Sequence, residues 1–278
     1  MGDKQKSNVA IAVLHGIGRQ FHRQEQRAGR PVFSKELFNA VRKQCDQEIG
    51  VDLEALVTWL EIDYASVFNA SQAQYYKRLG QSVERSHARR LVIENFGDAA
   101  SYGSAGRTEG TAFDAVQASV HGALSKLEQQ CAEGAALIVV AHSLGGQVMA
   151  DYMRSASAKP TSFTRLETLS AFVTLGCNIP LFHLGQHYSA VSPPIPVGSS
   201  WSFPWWINIY DRDDLLGFPL SQSGQGYRWL AETGQLKDIE VNAGSLLTRW
   251  NTLSHLEYWK NPAVAKIVWD SIRSALPN

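Results

Sequence analysis

The chain has 278 residues, of which 44% are hydrophobic and 19% charged; this is the composition of a globular protein with a substantial core and excludes a disordered chain. Basic and acidic residues number 26 each, so a formal net charge of 0 gives no electrostatic reason to expect nucleic acid or an anionic membrane surface as a partner. The length suits one large α/β domain, or at most two small ones, and no apolar run reaches the roughly 18–20 residues of a membrane span.

The cysteines and histidines argue against disulfides and metal sites. Cys45, Cys131 and Cys177 are scattered, and such an odd, sparse set indicates reduced thiols and a cytoplasmic location. The polar amino terminus runs directly into a strand, so we expect no signal peptide. His183 and His187 lack the Glu of a zinc-binding helix, so we expect no bound metal.

The first part of the chain begins with a strand and a glycine-containing turn. Residues 9–14 form a continuous apolar run, as in a parallel strand covered on both faces. In the following His15-Gly16-Ile17-Gly18, the glycines let the backbone turn with its N–H groups directed into a site. Phe21 stands where a dinucleotide-binding loop would have its third Gly, which disfavours that alternative.

Helix and strand patterns then alternate up to an unusually long connection. Helical periodicity over 32–49 ends at Gly50, and the next strand is predicted at 55–59. Residues 63–110 are more than a crossover needs, and we interpret them as an insertion with one or two helices, near 66–80 and 82–95, and a Gly/Ser-rich loop over 97–110. Apolar residues spaced by threes and fours predict the crossover helix over 111–130.

The most informative stretch follows that helix. Residues 137–141 predict a buried strand, and Ala141-His142-Ser143-Leu144-Gly145 differs from Gly-x-Ser-x-Gly at one position. A helix is predicted over 147–153. A strand, a sharp turn and a helix around a single Ser are typical of a nucleophile elbow, in which strained backbone holds the hydroxyl above the end of a sheet.

The second half supplies further strand ends. We predict strands at 166–175, 205–210 and 236–241, a Pro-rich irregular segment at 179–204, and a terminal helix opened by Pro262. The fold class is therefore α/β, with one mostly parallel, doubly wound sheet.

Ser143, an Asp cluster after 205–210 and His255 after 236–241 all fall at strand ends, in the order Ser, Asp, His. A Ser hydroxyl needs a base, and the base needs an orienting carboxylate. Strand alternation does not separate Asp211, Asp213 and Asp214.

Four motifs carry a resemblance to a known family: His15-Gly16-Ile17-Gly18, Ala141 to Gly145, Asp211 to Pro219, and Ser254 to Trp259. With them the sequence resembles the α/β-hydrolases, and is most similar to bacterial lipase- and esterase-like serine hydrolases. The resemblance extends over 9–276 and implies a single domain over 1–278, with 63–110 as an insertion or cap and 179–204 as a lid-like loop. The sequence departs from the family pattern at Ala141 and in the insertion.

The resemblance also implies roles for individual residues. Ser143 would attack the carbonyl carbon, while His255 would accept its proton and return it to the leaving group. In similar enzymes the acid lies about three residues beyond the strand, which favours Asp214 over Asp211 and Asp213. The oxyanion hole would use the N–H of Leu144 and a second N–H from Ile17 or Gly16. His142 would pack beneath the turn.

The expected function is hydrolysis of a small-molecule or lipid-like carboxylic ester through an acyl-enzyme, without a cofactor. A thioesterase, an acyltransferase and a non-catalytic ligand-binding protein on the same scaffold are the alternatives. An aromatic group could line an apolar pocket or belong to the core; its members are Trp201, Phe203, Trp205 and Trp206. The sequence does not determine the substrate or the oligomeric state.

Overall fold

The computed structural model describes residues 6–16, 31–68, 102, 112–158, 164–184, 187–196, 204–243 and 254–277. The strands are β1 (Val9–Leu14), β2 (Val57–Ile62), β3 (Ala136–His142), β4 (Leu169–Leu175), β5 (Trp206–Tyr210) and β6 (Leu236–Glu240). The helices are α1 (Lys35–Ile49), α2 (Leu53–Leu56), α3 (Ala112–Gln130), α4 (Leu144–Ala158), α5 (Ile179–His183), α6 (Gln225–Glu232) and α7 (Pro262–Ala275).

The six strands form one parallel sheet in the order β2-β1-β3-β4-β5-β6. This confirms the predicted doubly wound α/β architecture. The chain moves from β1 to β2 on one side and then crosses to β3 on the other. The carboxyl ends of β1 and β3 therefore lie side by side at a topological switch point, where open parallel sheets bind ligands.

Two hydrophobic layers cover the sheet, and β1 contributes to both. Val9, Ile11 and Val13 face the layer that includes α1 and α7, whereas Ala10, Ala12 and Leu14 face the layer that includes α3, α4 and α6. Side chains alternate between the two faces of a strand, so burial on both faces requires the continuous apolar run seen in the sequence.

The structure corrects the predicted start of β2. The strand begins at Val57, not at residue 55, because Leu53–Leu56 forms one helical turn. The Asp52 side chain caps that turn by accepting a hydrogen bond from the Glu54 N–H at 3.2 Å. A capping Asp followed by helix-forming residues outweighs the strand pattern here.

The later connections also differ from prediction. Residues 166–168 lie in the 3-10 helix Thr164–Thr168, so β4 begins at Leu169. The segment 179–204 was expected to be irregular but contains α5, where Pro180 lies in the first turn and needs no N–H partner, and the 3-10 helix Tyr188–Ala190. Helix α6 was not predicted. Of the insertion, only 63–68 and residue 102 are described, including the 3-10 helix Ala65–Phe68. The helical regions predicted near 66–80 and 82–95 otherwise lie outside the described residues.

Within the described ranges, none of the helices has both the length and the hydropathy needed to cross a membrane.

Candidate active site

Ser143 lies at the tight turn between β3 and α4. Its φ of 55° makes it the one non-glycine residue with positive φ in the described part of the chain. The Ser143 N–H donates to the Leu175 carbonyl at 2.9 Å, and the Gly146 N–H donates to the Ser143 carbonyl at 3.0 Å. Such a conformation costs roughly 1–3 kcal/mol and persists where the surroundings enforce it, as these two bonds and the adjoining strand and helix do.

Two glycines allow β1 to approach this turn. A Cβ at Gly16 would lie 2.7 Å from the Ser143 Cβ and 3.2 Å from its Oγ. A Cβ at Gly145 would lie 2.7 Å from the His15 carbonyl oxygen. The end of β1 can therefore lie against the elbow only because both positions lack a side chain.

His255 and Asp214 meet in the buried interior of this sheet edge. His255 Nδ1 lies 2.8 Å from Asp214 Oδ2, and the two side chains are 6% and 1% exposed. The Leu216 N–H donates to the other carboxylate oxygen, Oδ1, at 2.9 Å. Asp214, from the loop after β5, is thus the acid in contact with His255.

The other two acid candidates occupy different environments. Asp211 is buried and accepts hydrogen bonds from the Ala243 N–H at 2.7 Å and the Asp213 N–H at 2.9 Å. These bonds connect the loop after β5 to the segment after β6. Asp213 is exposed.

Electrostatics keep the Asp214 carboxylate ionised. Burial alone would raise the pKa of Asp214, but the hydrogen bond and charge of His255, with the Leu216 N–H and the Tyr258 hydroxyl, outweigh burial and lower it. An ionised carboxylate can only accept hydrogen bonds, so Nδ1 of a neutral His255 carries the ring proton. The lone pair is then on Nε2, which is the form a general base requires.

His255 and Ser143 are not hydrogen-bonded to each other. Nε2 of His255 has no hydrogen-bond partner among the described residues, Ser143 included. The ring of His142, which precedes Ser143, lies 4.6 Å from the His255 ring, centroid to centroid. A catalytic hydrogen bond is often long or misaligned until substrate binds. The geometry is therefore compatible with a hydrogen bond between His255 Nε2 and the Ser143 hydroxyl once substrate is bound.

His142 packs beneath the turn. Its Nε2–H donates to the His255 backbone carbonyl at 2.7 Å, and its ring also contacts Trp259. Burial and the neighbouring His255 lower the pKa of His142 to about 3, so the ring is neutral at working pH. It connects the end of β3 to the segment that carries His255.

Two of the three residues expected to supply oxyanion donors, Leu144 and Gly16, lie within the described residues. Leu144 is the first residue of α4, where a backbone N–H has no partner within the helix. Gly16 lies against the Ser143 side chain, and the Tyr64 hydroxyl supports this loop by donating to the His15 carbonyl at 2.6 Å. Ile17 lies outside the described residues.

One residue of the site was missed by sequence reasoning. Tyr258 is fully buried, and its hydroxyl lies 2.9 Å from Asp214 Oδ2. Its position three residues after His255, in the 3-10 helix Ser254–Lys260, was the available signal.

Of the aromatic group, Trp205 and Trp206 are completely buried in the core, while Trp201 and Phe203 lie outside the described residues. His183 and His187 both lie within the described ranges, and these ranges contain no cluster of three His, Cys, Asp or Glu side chains able to hold a metal ion.

No family model and no curated protein matches this chain. Solved structures do match it at low identity. A serine hydrolase without a lid from Xanthomonas campestris is 14% identical, with a TM-score of 0.44 over 100% of this chain and 87% of that chain. A cutinase-like protein from Cryptococcus sp. is 10% identical, with a TM-score of 0.43 over 98% and 97%. An arylesterase is 11% identical, with a TM-score of 0.45 over 97% and 78%. Neither substrate nor mechanism transfers at such remote similarity.

Proposed function

We propose that this chain is a serine hydrolase that cleaves carboxylic esters through an acyl-enzyme, with Ser143, His255 and Asp214 as its triad. The observation that carries the proposal is the buried 2.8 Å contact between His255 Nδ1 and Asp214 Oδ2, beside a Ser in a positive-φ turn. Few structural needs account for a buried acid, a base and a strained hydroxyl in the loops that follow the strands of one sheet, whereas acyl transfer needs all three.

In the first half-reaction His255 Nε2 removes the Ser143 proton as Oγ attacks the ester carbonyl carbon. The tetrahedral oxyanion would be stabilised by the Leu144 N–H and a second N–H from Gly16 or Ile17. The leaving alcohol takes the proton from His255 and departs. Water then attacks the acyl-enzyme by the same steps, which releases the acid and restores Ser143. Asp214 orients the imidazole and stabilises its cationic form throughout.

We propose a cytoplasmic location because the three cysteines are free thiols. Cys45, Cys131 and Cys177 are all buried and unpaired with one another, as expected in a reducing compartment. Burial raises the pKa of Cys177 to about 12, which makes it a poor competing nucleophile.

Ser143→Ala tests the proposed nucleophile. Hydrolysis of p-nitrophenyl acetate and butyrate should fall by on the order of 10⁶-fold in kcat, because no other group can form the acyl-enzyme. Labelling by a fluorophosphonate should disappear, while the circular dichroism spectrum stays that of the wild type.

Ser271→Ala is the matched control, because Ser271 is also buried but lies on α7, away from the strand ends. It should keep both activity and labelling. Wild-type protein that neither hydrolyses these esters nor takes up the label would contradict the proposal, as would an active Ser143→Ala variant.

A further inference from the structure

We infer that Tyr258 is a positioning residue for this site, whose hydroxyl fixes the Asp214 carboxylate and limits how strongly it acts on His255. The inference rests on the proposed function. It names a fourth side chain in the hydrogen-bond chain, which contacts the same oxygen of the acid as His255.

The direction of the Tyr258 hydrogen bond is fixed by its second partner. The hydroxyl oxygen lies 2.9 Å from the Asp211 backbone nitrogen and 2.9 Å from Asp214 Oδ2. A backbone N–H can only donate, so the hydroxyl accepts there and its single proton is directed to Asp214. Burial and the Asp214 charge raise the pKa of Tyr258, so this proton stays in place at all working pH values.

Asp214 consequently has three donors on two oxygens. His255 Nδ1–H and the Tyr258 hydroxyl share Oδ2, while the Leu216 N–H binds Oδ1. Bonds to a charged acceptor are short and strong, and three of them fix the plane of the carboxylate. The hydroxyl also takes up part of the negative charge that would otherwise act on His255 alone.

Two loops leave room for the Tyr258–Asp214 pair. A Cβ at Gly176, after β4, would lie 2.6 Å from Tyr258 Cε2 and 2.9 Å from Asp214 Oδ2. A Cβ at Gly217, after β5, would lie 2.5 Å from Asp214 Oδ2 and 2.9 Å from the Tyr258 hydroxyl. The main chain on both sides is thus shaped around this contact.

Among the described residues, three other titratable side chains lie around the pair. His142 at the end of β3 faces the His255 ring, and His15 at the end of β1 is a more distant electrostatic neighbour of His142. Asp211, in the loop after β5, keeps its carboxylate on the Ala243 and Asp213 N–H groups.

Tyr258→Phe removes the hydroxyl and keeps the ring. We expect kcat to fall by about 10- to 100-fold, the effect of losing one hydrogen bond to a charged group, with KM changed less than about twofold. The acid limb of the kcat/KM profile should move to higher pH, because a carboxylate with one donor fewer stabilises the imidazolium more strongly.

Tyr227→Phe is the matched control. Tyr227 is also fully buried, and its hydroxyl is bonded to Arg154, outside the site. Both variants lose a buried hydroxyl, so both can lose stability, but only Tyr258→Phe should move the acid limb. A lowered kcat with an unmoved acid limb would mean that Tyr258 only fills space, and would overturn the inference.

A proton NMR readout separates this inference from the proposed function. The low-field signal of the His255 Nδ1–H, assigned by its loss in His255→Gln, should shift further downfield in Tyr258→Phe and stay in place in Tyr227→Phe. If the wild type shows no esterase activity, the proposed function fails while this shift still supports the positioning role. An unshifted signal refutes the positioning role whatever the activity.

Discussion

His142 is a buried histidine that the fold keeps neutral. Burial and the neighbouring His255 lower its pKa to about 3, while a histidine in an unfolded chain titrates near 6.5. Between these values the unfolded chain binds a proton that the folded chain excludes. The free energy of unfolding contributed by this group is therefore complete above about pH 6.5 and decreases as the pH falls toward 3.

His142→Gln should reduce this acid sensitivity. The wild-type free energy of unfolding should decrease between pH 6.5 and 4.5 by up to about 1.4 kcal/mol per pH unit on account of this one proton, and the variant should lack that part of the slope. Urea unfolding at several pH values measures it. The lowered pKa of Asp214 affects stability only below about pH 4, outside this window.

His187→Gln is the comparison for that measurement, because His187 is exposed and its replacement should leave the slope unchanged. An equal slope in His142→Gln and the wild type would show that His142 does not stay neutral in the folded protein.

Residue identities were predictable from sequence to different degrees. Ser143 lies in a local pattern of strand, turn and helix, so adjacent residues suffice to identify it as a candidate nucleophile. Asp211 and Asp214 both follow β5, and what distinguishes them is contact with segments that lie far along the chain, Ala243 in one case and His255 in the other. Tyr258 escaped notice because an aromatic residue near a His usually indicates packing.

At the level of elements, α4 owes its position to two glycines. A Cβ at Gly145 would lie 2.7 Å from the His15 backbone oxygen, and one at Gly146 would lie 2.5 Å from Cys177 Sγ. The helix that begins beside Ser143 thereby approaches both β1 and the segment after β4. Its distance from β1 fixes the gap between the elbow and the loop proposed to supply an oxyanion donor.

Gly145→Ala should therefore destabilise the protein. The added methyl would meet a backbone atom that cannot rotate away, and overpacking of this kind costs about 1–3 kcal/mol in the free energy of unfolding. Esterase activity should fall as well, since relief of the clash widens that gap. Urea unfolding and hydrolysis of p-nitrophenyl acetate measure the two effects.

Gly122→Ala makes the same change in α3, where a Cβ would meet nothing within 4 Å. Alanine is the better helix former, so this variant should gain about 0.5–1 kcal/mol and keep its activity. A Gly145→Ala variant that is stabilised like Gly122→Ala would show that β1 and α4 are not in close contact.

Elements with a long, regular pattern were predicted well. The apolar run of β1 and the 3.6-residue periodicity of α1, α3 and α7 depend on burial alone, and these elements lie where expected. Short elements were not predicted well, because a single side chain can decide whether they form. The Asp52 cap moves the start of β2 to Val57, and Pro180, which suggested an irregular segment, is compatible with the first turn of α5. Helix α6 has only 8 residues, with Tyr227 and Leu230 as its buried side chains, so its apolar pattern spans little more than two turns.

For the whole molecule, the sheet separates two hydrophobic layers. One layer packs α1 and α7 against the sheet, and the other packs α3, α4 and α6. Both layers share the same strands, so neither can lose its packing without exposing the other side of the sheet. We therefore expect the described parts of the chain to unfold as one cooperative unit, which is what the predicted single domain would do.

Two substitutions on opposite faces test this cooperativity. Ile272→Ala in α7 and Leu127→Ala in α3 each remove a fully buried side chain, one from each layer. Each should lower the free energy of unfolding by about 2–5 kcal/mol. Because the two side chains belong to separate hydrophobic clusters, the double variant should lose the sum of the two to within about 0.5 kcal/mol.

Urea unfolding followed by tryptophan fluorescence and by circular dichroism should give coincident transitions in all three variants, because two-state unfolding moves every probe together. Leu184→Ala, at a position that is 78% exposed, should change the free energy by less than about 0.5 kcal/mol and so shows that the losses come from burial. Two separate transitions, one displaced by Ile272→Ala and the other by Leu127→Ala, would mean that the layers unfold independently. A single transition would tie the segments that carry Ser143, Asp214 and His255 to the packing of both layers.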